Sequence, residues 1–245
     1  MADERLKYIH DHLDQMLIGP DDTFRFHCTQ CGKCCMHRED ILLNPKDLYN
    51  IASTLSISQQ EAVDRYCETY MGHSSRLPIV RLKPQGSVKR CPLLKDNKCM
   101  VHEAKPSVCA MYPLGRCLQI SQEIMDNIDT AHLNVQFILS EFNCGDTSEE
   151  HSVREWLASF KIPVDDPYYI RWQRVAMLAS RVIQSVEKNW TPYGLNMLLS
   201  LVFSVLYLGY DMDREFEPQF EERTEELHGI LTKIESSSGD LAHAK

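Results

Sequence analysis

The sequence predicts a predominantly α-helical protein, α with a small β-hairpin, and three observations carry that expectation. Apolar residues recur at helical spacing near the N-terminus and again through most of the chain after residue 166. Helix-start signatures precede several of these runs. All ten cysteines lie between Cys28 and Cys144, in segments that follow neither the helical nor the strand period. The expected architecture is an irregular cysteine-rich metal-binding domain over residues 1–160, followed by a helical C-terminal region over residues 161–245 with a frayed tail.

Taken in order, residues 2–17 place Leu6, Ile9, Leu13, Met16 and Leu17 at helical spacing, and Gly19-Pro20 ends the run. Asn44 and Pro45 read as the N-cap and first residue of a short helix. Ser58 with Glu61 forms a capping box opening a helix that runs on through Cys67. Residues 78–95 read as a short hairpin turning at Pro84-Gln85-Gly86, and the loop 95–98 leads to Cys99. Pro106 opens a short helix that carries Cys109 and stops at Pro113. The stretch SQEIMDNI reads as helix, whereas VQFILSEF fits strand or helix. A polar stretch, CGDTSEEHS, precedes a helix capped by Ser152 and Glu155. Beyond Asp166 come a long amphipathic helix, the apolar helix Leu195–Leu208, and a charged amphipathic helix ending near Ile234.

A chain that is 43% hydrophobic and 25% charged has enough apolar surface to fold rather than stay disordered. Its net charge of −9 gives no general attraction to phosphate backbones or anionic lipid. Nucleic acid and membrane are therefore not expected as partners; a protein partner or protein substrate is compatible with this balance. The N-terminal residues lack the basic start and apolar stretch of a secretory signal. The apolar run Leu195–Leu208 is shorter than the roughly 18–20 residues that cross a bilayer. A cytoplasmic location follows as the expectation, and there thiols stay reduced, so clustered cysteines point to metal or redox chemistry before disulfides.

Cys28, Cys31, Cys34 and Cys35 form C-x2-C-x2-C-C, in which each two-residue gap lets two thiolates face one centre. Gly32 permits the tight turn between them. Side chains of the neighbours Cys34 and Cys35 diverge, which suits a cluster, or two centres sharing the loop, better than one small ion. Cys91-Pro92 offers a further ligand, as in ferredoxin-type runs. Cys91, Cys99, His102 and Cys109 form a second group, with His102 readable either as a ligand or as a hydrogen-bonding neighbour. Lys33, Lys89, Arg90, Lys95, Lys98 and Lys105 make the one local concentration of positive charge, read as balance for anionic thiolates. Tyr112-Pro113 and Lys105-Pro106 are read as setting the backbone around Cys109.

The segments CTQCGKCC, CPLLKDNKCMVHEAKPSVCAMYPLGR and CGDTSEEHSVREWL resemble, in order and spacing, the CxxCxxCC (YkgJ-type) family of zinc- or iron-chelating cysteine-cluster proteins. That family includes proteins named flagellin lysine N-methylase. The resemblance covers roughly residues 24–157 and implies eight metal-binding cysteines: Cys28, Cys31, Cys34, Cys35, Cys91, Cys99, Cys109 and Cys144. CG at residues 144–145 stands where many members have C-x-G. Cys67 is left over as core packing, and Cys117 is left over without a role. By family naming alone, the resemblance also raises an S-adenosylmethionine-dependent protein-lysine (flagellin) N-methyltransferase as an alternative.

Two ions in closed four-cysteine sites are the zinc alternative, in which the protein is a zinc-stapled adaptor. Only the first motif has the paired form that structural zinc favours, so the spacing favours an iron–sulfur cluster of the 4Fe–4S class, with a redox, sensing or structural role. A radical S-adenosylmethionine centre uses C-x3-C-x2-C, and position 38 is Arg38, so that motif is absent. No G-x-G-x-x-G loop supports a dinucleotide-type fold, and no C-x-x-C opens a helix in a βαβ unit.

Overall fold

The computed structural model describes residues 2–243, and helix predominates. Helix α1 (Ala2–Met16) runs directly into a two-residue strand, β1 (Leu17–Ile18), and Gly19-Pro20 turns the chain into β2 (Thr23–His27). The cysteine motif follows, and then α2 (Pro45–Leu55) opens as expected. Asn44 accepts from the Asp47 amide while Asp47 accepts from the Asn44 amide. Helix α3 (Gln59–Tyr66) starts at Ser58, whose hydroxyl accepts from the Glu61 amide.

The helix expected to continue through Cys67 stops at Tyr66. Residues Cys67–Met71 form strand β3, antiparallel to β4 (Pro78–Leu82), with Cys67 opposite Leu82 and Met71 opposite Pro78. Partners 7 to 15 residues apart gain a ladder of backbone bonds, and that outweighs continuing a polar helix. The expected 78–95 hairpin is also replaced: β4 pairs backward with β3, and beyond it only Gln85 and Arg90 bridge, around Gly86. A different small hairpin forms next, β5 (Leu94–Lys95) with β6 (Lys98–Cys99). Its turn residues Asp96 and Asn97 both take positive φ, 49° and 59°, as a tight two-residue hairpin turn requires.

Helix α4 (Ser107–Met111) carries Cys109. Strand β7 (Leu114–Leu118), short helix α5 (Gln122–Asp126) and strand β8 (Val135–Leu139) follow, so VQFIL is strand. The three-stranded sheet has the order β1-β8-β7. The polar stretch after Cys144 is strand β9 (Asp146–Ser152), paired with β2. Its exposed side chains are why alternating hydrophobicity did not mark it. Ser152 and Glu155 then make the expected capping box on α6 (Val153–Ser159). The C-terminal part is helical throughout: α7 (Pro167–Val186), α8 (Pro192–Tyr207) and α9 (Phe216–His243). Helix α9 runs past Ile234 into what the sequence suggested was a frayed tail; residues 244–245 lie outside the described residues.

Two apolar cores result. The larger joins α2, β4 and the segment 93–101 to the C-terminal helices, with Leu48, Ile51, Val80 and Leu93 against Val182, Ile183, Leu206 and Leu227, all buried. The smaller is aromatic: the Phe26 ring meets Phe142, Trp156 and Tyr112 edge-on, at 5.0, 5.5 and 5.8 Å. Trp156 Nε1 donates to the Met111 carbonyl at 3.0 Å and so ties α6 to the end of α4.

One buried carboxylate connects these parts. Asp47 accepts from the Asn44 amide (3.1 Å), the Ser107 amide (2.8 Å) and the Ser107 hydroxyl (3.1 Å). Tyr168, on α7, donates to Asn44 Oδ1 at 2.9 Å and accepts from the Lys46 amide at 3.0 Å. Burial pushes the Asp47 carboxyl up to about 6, although the three donors pull the other way. The folded pKa therefore lies above the ordinary 3.8, so the stability tied to the protonated form is fully present below about pH 4 and lost as pH rises through about 6. The unfolding free energy of the natural chain relative to Asp47→Asn, which cannot titrate, is expected to fall by up to about 3 kcal/mol from pH 4 to pH 7. Urea melts at matched pH values check this, and a pH-independent difference would contradict it.

Candidate metal centre

The first cysteine motif is placed by β2 and its partner β9. The ladder pairs His27 with Asp146 and shifts register at a bulge between Arg25 and His27, which sets Cys28 beside Cys144 and Gly145. Gly145 has φ 68°, and a Cβ there would collide with the His27 carbonyl oxygen, so only glycine fits this crossing. Its amide donates to the Cys31 sulfur, as does that of Lys33. These bonds, Gly145 first, lower the Cys31 pKa although that thiol is the exposed member of the set.

Gly32, at φ 72°, turns the chain into a 3₁₀ turn over Lys33–Cys35. The turn presents the Cys34 and Cys35 sulfurs 4.0 Å apart. The contact with Cys35, reinforced by burial, pushes the Cys34 thiol far up. The Cys91 amide donates to the Cys35 carbonyl at 2.8 Å, which joins the first motif directly to the second.

In the second group, burial raises Cys91 to about 11, against the pull of the Leu93 and Leu94 amides, and burial likewise raises Cys99 and Cys109. The β5–β6 hairpin delivers Cys99, and α4, anchored through Ser107 to Asp47, delivers Cys109. Cys144 is raised by burial, while the Tyr112 hydroxyl donates to it and pulls the other way. The peptide Tyr112-Pro113 is cis. The hydroxyl contact to Cys144 is an additional role that the sequence did not announce.

Cys34 is a neighbour of both groups: it packs with Cys28 and Cys144 on the aromatic core and lines one cavity with Cys35, Cys91 and Cys109. Its charge acts on Cys91, Cys99, Cys109 and Cys144, and it is itself acted on by Cys31 and Cys35; Cys28 and Cys31 also act on Cys144. Cys28, Cys34 and Cys144 pack on the aromatic core, whereas Cys91, Cys99 and Cys109 pack on the larger core, so the set straddles the seam between the two. Cys34, Cys35, Cys91 and Cys109 line a cavity of about 20 Å³, walled also by Arg38, Ile41 and Pro92. Among the described residues no group of three or more His, Cys, Asp or Glu side chains is placed so as to hold a metal ion. The donor set itself, thiols gathered at one seam, suits the soft-ligand metals zinc and iron.

Cys67 and Cys117 stand apart. Burial alone raises both, Cys67 to about 12, with no other cysteine acting on either. Cys67 is buried in the larger core, as expected, although on a strand rather than a helix. His102 lies 3.4 Å from the Gln30 amide nitrogen. Burial and Lys105 lower its pKa, and none of the influences on it comes from a cysteine. Lys105 favours the thiolate forms of Cys34 and Cys99, and Lys33 that of Cys31, so part of the basic concentration does balance the sulfurs. Lys89 instead pairs with Glu39 at 3.3 Å. No helix among the described residues is long and apolar enough to cross a membrane.

Comparison with known proteins agrees with the geometry. A 90-residue stretch is 32% identical to an uncharacterized protein of Methanocaldococcus jannaschii, covering 36% of this chain and 44% of that protein. The chain thus matches less than half the length of this relative. No solved structure matches. Residues 27–132, which hold Cys28 through Cys109 but not Cys144, match the CxxCxxCC family, described as a "Putative zinc- or iron-chelating domain". The similarity to this family is carried by residues 27–132, less than half of the chain.

Proposed function

We propose that Cys28, Cys31, Cys34, Cys35, Cys91, Cys99, Cys109 and Cys144 supply the thiolates, four to each cluster, of an iron–sulfur site of the 4Fe–4S class. The observation that carries this reading is the position of Cys34, which packs with Cys28 and Cys144 on one side and lines a cavity with Cys35, Cys91 and Cys109 on the other. Burial favours the neutral thiols, so a bound cation would supply the charge that keeps so many sulfurs ionised in one place. Gly145 and Lys33 amides already aimed at Cys31 are donors of the kind that stabilise anionic sulfur. Such a centre supplies electron transfer, sensing or structural support.

A zinc reading has two observations in its favour. The Cys34 and Cys35 sulfurs, 4.0 Å apart on one 3₁₀ turn, are spaced as two ligands of one tetrahedral ion with Zn–S of about 2.3 Å rather than as ligands of separate irons. A cavity of about 20 Å³ among four thiols admits one ion or one water but not a cubane without opening. Metal and acid-labile sulfide analysis of protein purified anaerobically separates the readings. Iron with equimolar sulfide and a visible charge-transfer band is expected; stoichiometric zinc without sulfide would replace the cluster reading, and no metal would sink both.

Within the set, Cys34→Ser and Cys109→Ser are each expected to lose metal, at least tenfold in retention against a chelator, while Cys67→Ser and Cys117→Ser keep it. Equal loss from all four would refute the division into eight and two. Gly145→Ala is expected to destabilise the fold by about 1–3 kcal/mol, because it combines positive φ with a clash on the His27 carbonyl. It should also weaken metal retention, since it displaces the amide that faces Cys31. Thermal melts and metal content together check this, and wild-type values for both would contradict it.

A further inference from the structure

Arg38 stands in the wall of the cysteine cavity. Its side chain borders the roughly 20 Å³ space shared by Cys34, Cys35, Cys91 and Cys109. It also borders a separate outer cleft of about 650 Å³ that opens over Cys34 and Tyr112. Arg38 thus lies between the inner sulfur cavity and the cleft, beside Cys34, which also lines both. Only 16% of it is exposed, and Nε donates to Asp40 at 2.6 Å. The chain just before it is held in place, with His37 at φ 57° and its amide donating to the Val88 carbonyl at 2.9 Å.

A guanidinium so placed is costly to bury unless negative charge surrounds it. Burial does pull its pKa down, but the Asp40 bond and then the charges at Cys109 and Cys34 more than reverse that. The coupling is mutual: Arg38 favours the thiolate at Cys109. The other nearby cation, Lys105, lies 4.4 Å over the Phe160 ring and does not line this cavity. Several thiolates on a metal centre carry net negative charge, and within a wall of Ile41, Leu82 and Pro92 that charge needs a local partner. Arginine suits the place because its charge is permanent and weakly hydrated.

We propose that Arg38 is the positioning residue of the metal centre, neutralising the thiolate charge from inside the cavity wall and closing the centre off from the outer cleft. The inference rests on the reading of the cysteines as metal ligands. Arg38 is not itself a ligand; it acts through Cys34 and Cys109.

The test uses the full chain, prepared and loaded anaerobically. Arg38→Met keeps bulk and removes charge, and Arg38→Lys keeps charge with a smaller head. Arg38→Met is expected to shift the midpoint potential of the iron-loaded protein to more negative values, because the reduced, more anionic centre loses its cation. It should also weaken metal retention in chelator competition by about 10–100-fold. Arg38→Lys should hold the potential near that of the natural chain while releasing metal to the chelator faster, through the opened partition. Zinc-loaded protein gives the retention and release readouts without the potential. Arg38→Met that melts like the natural chain and shows its potential and retention would overturn the charge role. Unchanged release from Arg38→Lys would overturn the closing role, and it carries the test if Arg38→Met fails to fold. Natural protein that retains no metal would sink the ligand reading itself, whereas natural protein that binds metal beside an unmoved Arg38→Met sinks only the inference about Arg38.

Discussion

The Asp47 carboxylate is the interaction on which the rest of the structure depends. It is buried, yet it accepts from the N-cap residue of α2 and from both polar groups of Ser107 at the start of α4. Through Asn44 it also reaches Tyr168 of α7. A helix from the N-terminal part, the helix that delivers Cys109, and the first long C-terminal helix thus share one small polar knot. Cys109 is one turn from Ser107 and has no comparable polar tether of its own, so its position is inherited from that knot. The cost of the buried charge appears as the raised Asp47 pKa, which makes the same group stabilising in architecture and pH-sensitive in energy.

The sulfurs occupy a seam between two different kinds of core. On one side the packing is aliphatic and helical; on the other it is a cluster of aromatic rings around Phe26 and Trp156. Neither core alone encloses the cysteines, and the Cys91 amide on the Cys35 carbonyl joins the first motif to the second. A centre that bonded sulfurs from both sides would add its binding free energy to folding. Chain topology explains why the ligands are so scattered in sequence. The β2–β9 ladder closes a loop of more than 100 residues, and the second cysteine group lies inside that loop.

Much of the secondary structure was legible because its signals are local. Asn44-Pro45, Ser58 with Glu61, and Ser152 with Glu155 all start helices where their chemistry says they should, since a side-chain oxygen three residues from an orphan amide needs no tertiary help. The errors fell on strands. Cys67–Met71 and Asp146–Ser152 are strands only because a partner segment runs beside them, and nothing in a polar run of Glu, Ser and His announces that partner. The small hairpin at residues 94–99 was likewise missed, although Asp96-Asn97 tolerates the left-handed turn it needs. In the site, spacing and resemblance set Cys67 aside as core packing, and it is buried in the larger core. Arg38 and the Tyr112 hydroxyl were not legible, because neither belongs to a motif.

The sequence by itself determined the donor chemistry. Thiols at two-residue gaps, segregated from a cysteine-free helical half, specify soft-metal binding whatever the fold, since ligand type and local gaps are properties of the chain. Only the tertiary structure decided which sulfurs share a neighbourhood and what surrounds them. Cys34 sits at the junction of two groups, a guanidinium occupies the cavity wall, and an amide from Gly145 faces Cys31, each across a contact made by distant segments. Charge, burial and hydrogen bonding at a sulfur depend on what packs against it, and that is set by strand pairing and core formation rather than by spacing along the chain.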